Sequence, residues 1–198
     1  MATGNIPRHV VLTGLPGTGK TTLIQKACDV LQKKGVTAQG FYTEEVRQHG
    51  KRFGFDVITL DGTRDALARV GEPLENDRRR HRVGQYTVNL QSFERIALPA
   101  LKKKSNVSCV FVIDEIGKME MFSESFVREV RDLLNNPRTT VLTSIPVARG
   151  KHIPFVEEIR HRKDVVLYQI TKANREQLLE EIVQSILQSH EHYHVRSA

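Results

Sequence analysis

The chain has 198 residues and a mass of 22.5 kDa with 39% hydrophobic residues, enough for one globular domain with a continuous core spanning residues 1–198. Its 30 basic residues against 23 acidic ones give a formal net charge of +7 and a pI near 9.6, which favours anionic partners such as nucleotide phosphates, RNA or acidic proteins without choosing among them. Two cysteines without paired spacing, Cys28 and Cys109, argue against a disulfide or cysteine-metal framework, no apolar stretch nears membrane-spanning length, and the N-terminal MATGNIPRH lacks a signal or transit pattern, so a cytoplasmic protein is expected.

The first element in chain order is a short β-branched run, Val10 to Thr13, that ends at Gly14. A helix follows over 21–33, with Leu23, Ile24, Ala27, Val30 and Leu31 at helical spacing and Gly35 as its stop. VTAQGFYTEEV and RFGFDVITL flank the turn RQHGK and predict two antiparallel strands in a projecting or edge hairpin. Residues 71–82, GEPLENDRRRHR, carry almost nothing apolar and predict a solvated loop inside the domain. VGQYTVNL then predicts a short strand, and helices follow over 92–97, continuing past Pro99, and over 123–134, where Phe126, Val130, Leu133 and Leu134 share a face.

CVFVIDE, residues 109–115, is a continuous apolar run with acids only at its C-terminal end, as for a strand covered on both faces. TTVLTSIP (139–146) and DVVLYQI (164–170) predict similar buried strands. A last amphipathic helix carries Leu178, Leu179, Ile182, Val183, Ile186 and Leu187, and the tail from residue 190 to 198, with His190, His192 and His194, predicts a flexible end. Strands alternating with helices predict an α/β fold with a mainly parallel central sheet flanked by helices.

Gly14, Leu15, Pro16, Gly17, Thr18, Gly19, Lys20 and Thr21 satisfy G-x-x-x-x-G-K-[ST] between a predicted strand and a predicted helix, the context the pattern requires. Glycines let successive backbone N–H groups turn inward around phosphates, and the helix N-terminus adds partial positive charge on the same side. Lys20 is expected to neutralise the β- and γ-phosphates and the Thr21 hydroxyl to be a ligand of Mg2+.

Asp114 and Glu115 follow four apolar residues and emerge where parallel strands present their carboxyl ends to ligand. Asp114 is expected to hold Mg2+, directly or through water, and Glu115 to accept a proton from the attacking water. Thr143 and Ser144 end a buried strand, where a hydroxyl either orients water or caps the turn before Pro146. TKAN (171–174) superficially resembles the guanine-reading loop of GTPases but lacks its carboxylate. Asn174 stands three residues before Gln177, a helix-capping pattern, while Arg175 is a candidate to stack on a base. Arg160, Arg162 and Lys163 are candidates for transition-state charge or for a solvated basic turn, and the tail histidines for a solvated end or adventitious metal binding.

These residues carry a wider likeness. RHVVLTGLPGTGKTTLI, GFYTEEVRQ, GFDVITL, RVGQYTVNL, SFERIALPAL, VIDEIGKMEMFS, TSIPV, VEEIRHRKDV and TKANR together closely resemble the cancer-related nucleoside-triphosphatase family, which includes thermophilic bacterial and archaeal members. The resemblance spans nearly the whole chain. It implies a RecA-like P-loop fold and slow, Mg2+-dependent hydrolysis of several nucleoside triphosphates, ATP, GTP, CTP and UTP, to the diphosphate and phosphate. It carries onto the phosphate loop and onto a second nucleotide-binding segment, Val110, Phe111, Val112, Ile113, Asp114, Glu115, Ile116 and Gly117, in which Glu115 is the catalytic acid with Lys20.

The expected partners are therefore nucleoside triphosphates, with no membrane, no specific nucleic acid and a monomeric chain. Two other classes stay open. A small-molecule or nucleotide kinase uses the same loop and closes an arginine-rich lid over the phosphates, for which residues 71–82 supply arginines. A nucleotide-gated module binding RNA or protein fits the net charge, although 6% aromatics and no Trp offer no stacking platform.

Overall fold

The structure, a computed structural model, describes residues 6–71, 81–102, 109–148 and 152–195. It begins with β1 (His9–Thr13), α1 (Lys20–Lys33), β2 (Thr37–Gln48), β3 (Lys51–Thr59), β4 (Arg64–Val70), β5 (Arg82–Val83), β6 (Tyr86–Val88) and α2 (Leu90–Leu101). It continues with β7 (Cys109–Asp114), a 3-10 turn (Glu120–Phe122), α3 (Glu124–Asn135), β8 (Thr140–Ile145), α4 (Pro154–Arg160), β9 (Val165–Gln169), α5 (Arg175–His190) and a π-helical turn (Glu191–Val195).

Among the described residues the strands join one sheet in the order β5, β6, β4, β3, β2, β7, β8, β1, β9. The stretch from β2 to β9 is parallel, and each of its crossovers carries a helix, as parallel neighbours require. From β2 outward the remaining strands extend it antiparallel. This is the expected α/β P-loop architecture, a parallel centre flanked by helices with an antiparallel hairpin built onto it.

Successive residues of a strand face opposite sides, and that alternation assigns the two cores. Val10, Leu12, Val110, Val112 and Leu142 pack under α1 and α5 with Leu23, Ile24, Ile182 and Ile186. Val11, Phe111, Ile113, Val141 and Ile145 pack on the other face with Phe93 of α2, Phe126 of α3 and Ile159 of α4. Burial on both faces is why these strands read as continuous apolar runs.

Several expectations are corrected. The hairpin is not an edge ribbon: Thr37 to Tyr42 of β2 pair parallel with Cys109 to Asp114 of β7, and only the rest of β2 runs on past that ladder, paired to β3. VGQYTVNL is not one strand, because the chain turns at Gly84 and folds β6 back on β5. Arg64–Val70 and Pro154–Arg160, for which no periodicity predicts an element, form β4 and α4. β9 is an edge strand rather than a buried one, with Leu167 39% exposed.

The tail is folded further than expected. α5 includes His190, the chain continues helically to Val195, and the Tyr193 hydroxyl donates to the Ile6 carbonyl at 2.8 Å while the Arg8 guanidinium lies over its ring. Residues 196–198 lie outside the described residues, as do 72–80 of the charged loop, whose last residue, Arg82, begins β5.

Candidate active site

The phosphate loop leaves β1 at Thr13 and enters α1 at Lys20. Gly14 must lack a side chain, because a Cβ there would stand 2.4 Å from the Ile170 carbonyl at the end of β9. The Thr18 hydroxyl donates to the Leu15 carbonyl at 2.9 Å and closes the turn, while Leu15, Pro16 and Gly17 are exposed along its outside. Gly19 is the N-cap of α1 and no side chain caps it, so the first N–H groups of the helix keep their capacity for an anion.

Lys20 folds back over this loop. It is 9% exposed, its ammonium donates to the Gly14 carbonyl at 3.0 Å and the Leu15 carbonyl at 3.4 Å, and it stands 4.0 Å from Glu115 Oε2. One cation thus joins the phosphate loop to the acid pair at the end of β7.

Strand order and parity explain where that pair points. β8 lies between β1 and β7, and Ile113 pairs with Thr143 while Leu12 pairs with Ser144. Asp114 shares the α1-side parity of Val110 and Val112, and Ser144 shares that of Leu142, so both turn toward α1. The Ser144 hydroxyl donates to Asp114 Oδ1, and Asp114 Oδ2 is buried without a hydrogen-bond partner. Burial pushes the Asp114 carboxyl above the usual range, and the Ser144 and Thr21 hydroxyls and then Lys20 pull against it. Glu115, a third exposed at the mouth, is also raised by burial and by Asp114 and lowered by Lys20.

Val110, Phe111, Val112, Ile113 and Ile116 are all buried in the two cores. Their part in the second segment is to carry Asp114, Glu115 and Gly117 to the carboxyl edge. Thr143 has the opposite parity from Ser144, and its hydroxyl donates to the Ile113 carbonyl at 2.6 Å; it orients no water and caps no turn.

Arg175 is drawn against the phosphate loop. Its guanidinium donates to the Thr18 carbonyl at 3.4 Å and packs against Gly19, bracing the phosphate loop from α5. Asn174 occupies the N-cap position without capping through its side chain, which accepts from the Thr171 N–H and donates to the Gln169 carbonyl. Arg162 binds the Leu134 carbonyl and Asp164, and with Lys163 it sits just before β9, at the end of the strand opposite the phosphate loop. Neither supplies transition-state charge. Arg160, whose guanidinium donates to the Pro146 carbonyl at 2.5 Å, is on the site's side.

A cavity of about 560 Å³ adjoins the loop between the ends of β1, β8 and β9. Leu15, Pro16, Val147 and Ile170 supply apolar wall, with Arg160, Gln169, Thr171 and Lys172 at its polar parts. Sequence reasoning missed this cavity, the bracing role of Arg175 and the Ser144 contact with Asp114. The parity of VLTS, with Leu142 and Ser144 on one face, is the signal that separates Ser144 from Thr143.

Thr21 and Asp114 are hard oxygen donors, and the orphaned Asp114 Oδ2 suits a cation such as Mg2+, which takes one or two protein ligands beside phosphates and water. Among the described residues no group of three or more His, Cys, Asp or Glu could hold a metal on its own.

The comparisons with known proteins follow this geometry. The family model described as NTPase matches residues 9–183. The chain is 54% identical over 189 residues to the human cancer-related nucleoside-triphosphatase, covering 92% of this chain and 98% of that protein. It is 42% identical over 174 residues to the nucleoside-triphosphatase THEP1 of Thermotoga maritima, covering 88% and 92%. Among solved structures, the solution structure of the human protein superposes with a TM-score of 0.79 over 92% of this chain and 98% of that one. The crystal structure of THEP1 from the hyperthermophile Aquifex aeolicus, 38% identical, gives 0.76 over 90% and 98%.

Proposed function

The chain belongs to the NTPase family, and we propose that it is a nucleoside-triphosphatase that hydrolyses several nucleoside triphosphates slowly, with Mg2+, to the diphosphate and phosphate. The observation that carries this is the position of Lys20, whose ammonium lies 3.0 Å from the Gly14 carbonyl of the phosphate loop and 4.0 Å from the Glu115 carboxylate. A γ-phosphate held by Lys20 is thereby held beside a carboxylate at the mouth of the site.

Thr21 and Asp114 would hold Mg2+, which when bound supplies charge neutralisation on the β- and γ-phosphates. The loop N–H groups and Lys20 bind and orient the triphosphate. Glu115 takes a proton from water as the water oxygen bonds to the γ-phosphorus; the bond from phosphorus to the bridging oxygen breaks, and that oxygen leaves on the diphosphate. The cavity beside the loop supports broad base use, since Leu15, Pro16, Val147 and Ile170 offer shape and apolar surface rather than a base-specific set of donors. Cys28 is a free thiol, which supports a reducing compartment such as the cytoplasm. Among the described residues no helix is long and apolar enough to cross a membrane.

Phosphate release from ATP, GTP, CTP and UTP, with and without Mg2+, tests the reading. Lys20→Ala is expected to lose nucleotide binding, and Glu115→Gln to bind nucleotide normally while losing at least about 100-fold in turnover. Transfer to an added acceptor with little release in water would instead identify a kinase. Light scattering checks the proposed monomer.

A further inference from the structure

One acid near the site has no part in that chemistry. Glu120 opens the 3-10 turn after β7 and is 5% exposed, although it is a carboxyl group that forms no ion pair with a Lys or Arg among the described residues. Its Oε2 accepts the Gly117 N–H at 3.1 Å. The Met121 N–H donates to the Gly117 carbonyl at 3.1 Å and the Ser123 N–H to the Glu120 carbonyl at 3.0 Å, so the segment after Glu115 is folded back on itself.

Gly117 lies between two carboxyl groups. A Cβ there would stand 2.7 Å from Glu115 Oε1 and 3.2 Å from Glu120 Oε2. A side chain there would meet the ends of both carboxyl groups and would have to displace them. Two carboxyl groups this near one another do not both ionise readily, and the better buried one keeps its proton. Burial and the charge of Glu115 push Glu120 up to about 8, against the pull of the backbone N–H groups, whereas at Glu115 the Lys20 ammonium opposes the rise that burial causes.

We propose that Glu120 is a positioning residue for hydrolysis: its buried carboxyl group accepts the Gly117 N–H and pins that turn, and through the turn it holds the Glu115 carboxylate at the mouth beside Lys20. The proposal rests on the reading of Glu115 as the group that takes the proton from water. Glu120 touches neither phosphate nor water. A neutral side chain that accepts the Gly117 N–H does its work, and neither a shorter carboxylate nor a methyl group does.

The test measures kcat, KM and nucleotide affinity in the full chain for Glu120→Gln, Glu120→Asp, Glu120→Ala and Glu115→Gln. Displacement of Glu115 by about an ångström is expected to cost about 100-fold in kcat in Glu120→Ala and Glu120→Asp, with KM and nucleotide affinity unchanged. Glu120→Gln is expected to recover most of that loss. Wild-type turnover in Glu120→Ala would overturn the proposal, and so would a Glu120→Gln variant as inactive as Glu115→Gln, which would mean that Glu120 acts as an anion. If Glu120→Ala does not fold, Glu120→Asp carries the same test, because its shorter side chain loses the reach to the Gly117 N–H; wild-type kcat there overturns the proposal. Retained hydrolysis in Glu115→Gln is the separate result that refutes the role of Glu115 itself.

Discussion

Ser144→Ala isolates what the strand between β1 and β7 contributes. The serine is fully buried and its hydroxyl donates to Asp114 Oδ1, while Asp114 Oδ2 has no hydrogen-bond partner, so the substitution leaves a buried carboxyl group with neither oxygen bonded by Ser144. A hydrogen bond to a charged group is worth about 1.5–3 kcal/mol, roughly a 10- to 100-fold change in an equilibrium constant. The ionised form of Asp114 bears that loss, because the hydroxyl lowers a pKa that burial already raises. Protons and Mg2+ compete for the ionised carboxylate, so the Mg2+ concentration for half-maximal phosphate release should rise, by up to about 10- to 100-fold where protons compete most. The deficit should shrink as pH rises and fewer protons compete. Nucleotide affinity in EDTA, which depends on the loop and Lys20, should not change. An unchanged Mg2+ midpoint, or a deficit that does not shrink as pH rises, would refute the assignment of Asp114 as a metal ligand tuned by Ser144.

His9 should make the fold acid-sensitive well above the carboxylate range. Burial lowers its pKa from 6.5 to about 4, so between those values the unfolded chain binds a proton that the native state refuses, and stability falls as pH drops through that window. The full loss is about 3 kcal/mol, readable by urea unfolding from pH 7 to pH 4, and His9→Gln should flatten it. Asp164 stays charged across the window: burial pushes it up, but the Arg162 hydrogen bonds hold it below the usual carboxylate range. Gly14→Ala sets a Cβ 2.4 Å from the Ile170 carbonyl, a backbone atom that cannot swing aside, and calorimetry should find nucleotide binding lost along with about 1–3 kcal/mol of stability. The Cys28 thiol, pushed up to about 12 by burial and by Asp29, should resist iodoacetamide at pH 8 in the native protein and react in urea.

The parts of the molecule that were legible in the sequence are those whose cause is local. Eight consecutive residues define the phosphate loop, and CVFVIDE announces both a doubly covered strand and the edge where its acids emerge. What was not legible depends on partners distant in the chain. β4 mixes Arg64, Asp65 and Arg69 with Ala66 and Leu67; its charges are paired with other elements, Arg64 and Arg69 with Asp56 of β3 and Asp65 with Arg95 of α2, so its own pattern does not declare a strand. α4 has seven residues, too few for a helical period, and begins on Pro154. The tail is held by Tyr193 on Ile6, a contact across 187 positions that composition cannot show. Glu120 stands between two methionines like any surface acid on a turn, and only the fold buries it.

Alternation within β7 and β8 ties these failures to the chemistry. Asp114 reaches the α1 side because Val112 and Val110 do, and Ser144 meets it there because Leu142 does; a shift of either strand by one residue would aim that strand's side chain at the opposite face and part the pair. Past Asp114 the strand ends and parity no longer decides direction. Glu115 is the first residue beyond that control, and its carboxylate is steered instead by the Gly117 turn and the Lys20 ammonium. The proposed metal ligand, Asp114, is thus fixed by the register of a rigid sheet, and the proposed proton acceptor, Glu115, by a short turn whose Gly117 N–H Glu120 accepts. Substitutions in the sheet should change Mg2+ dependence, whereas substitutions in 116–120 should change kcat at constant Mg2+ affinity.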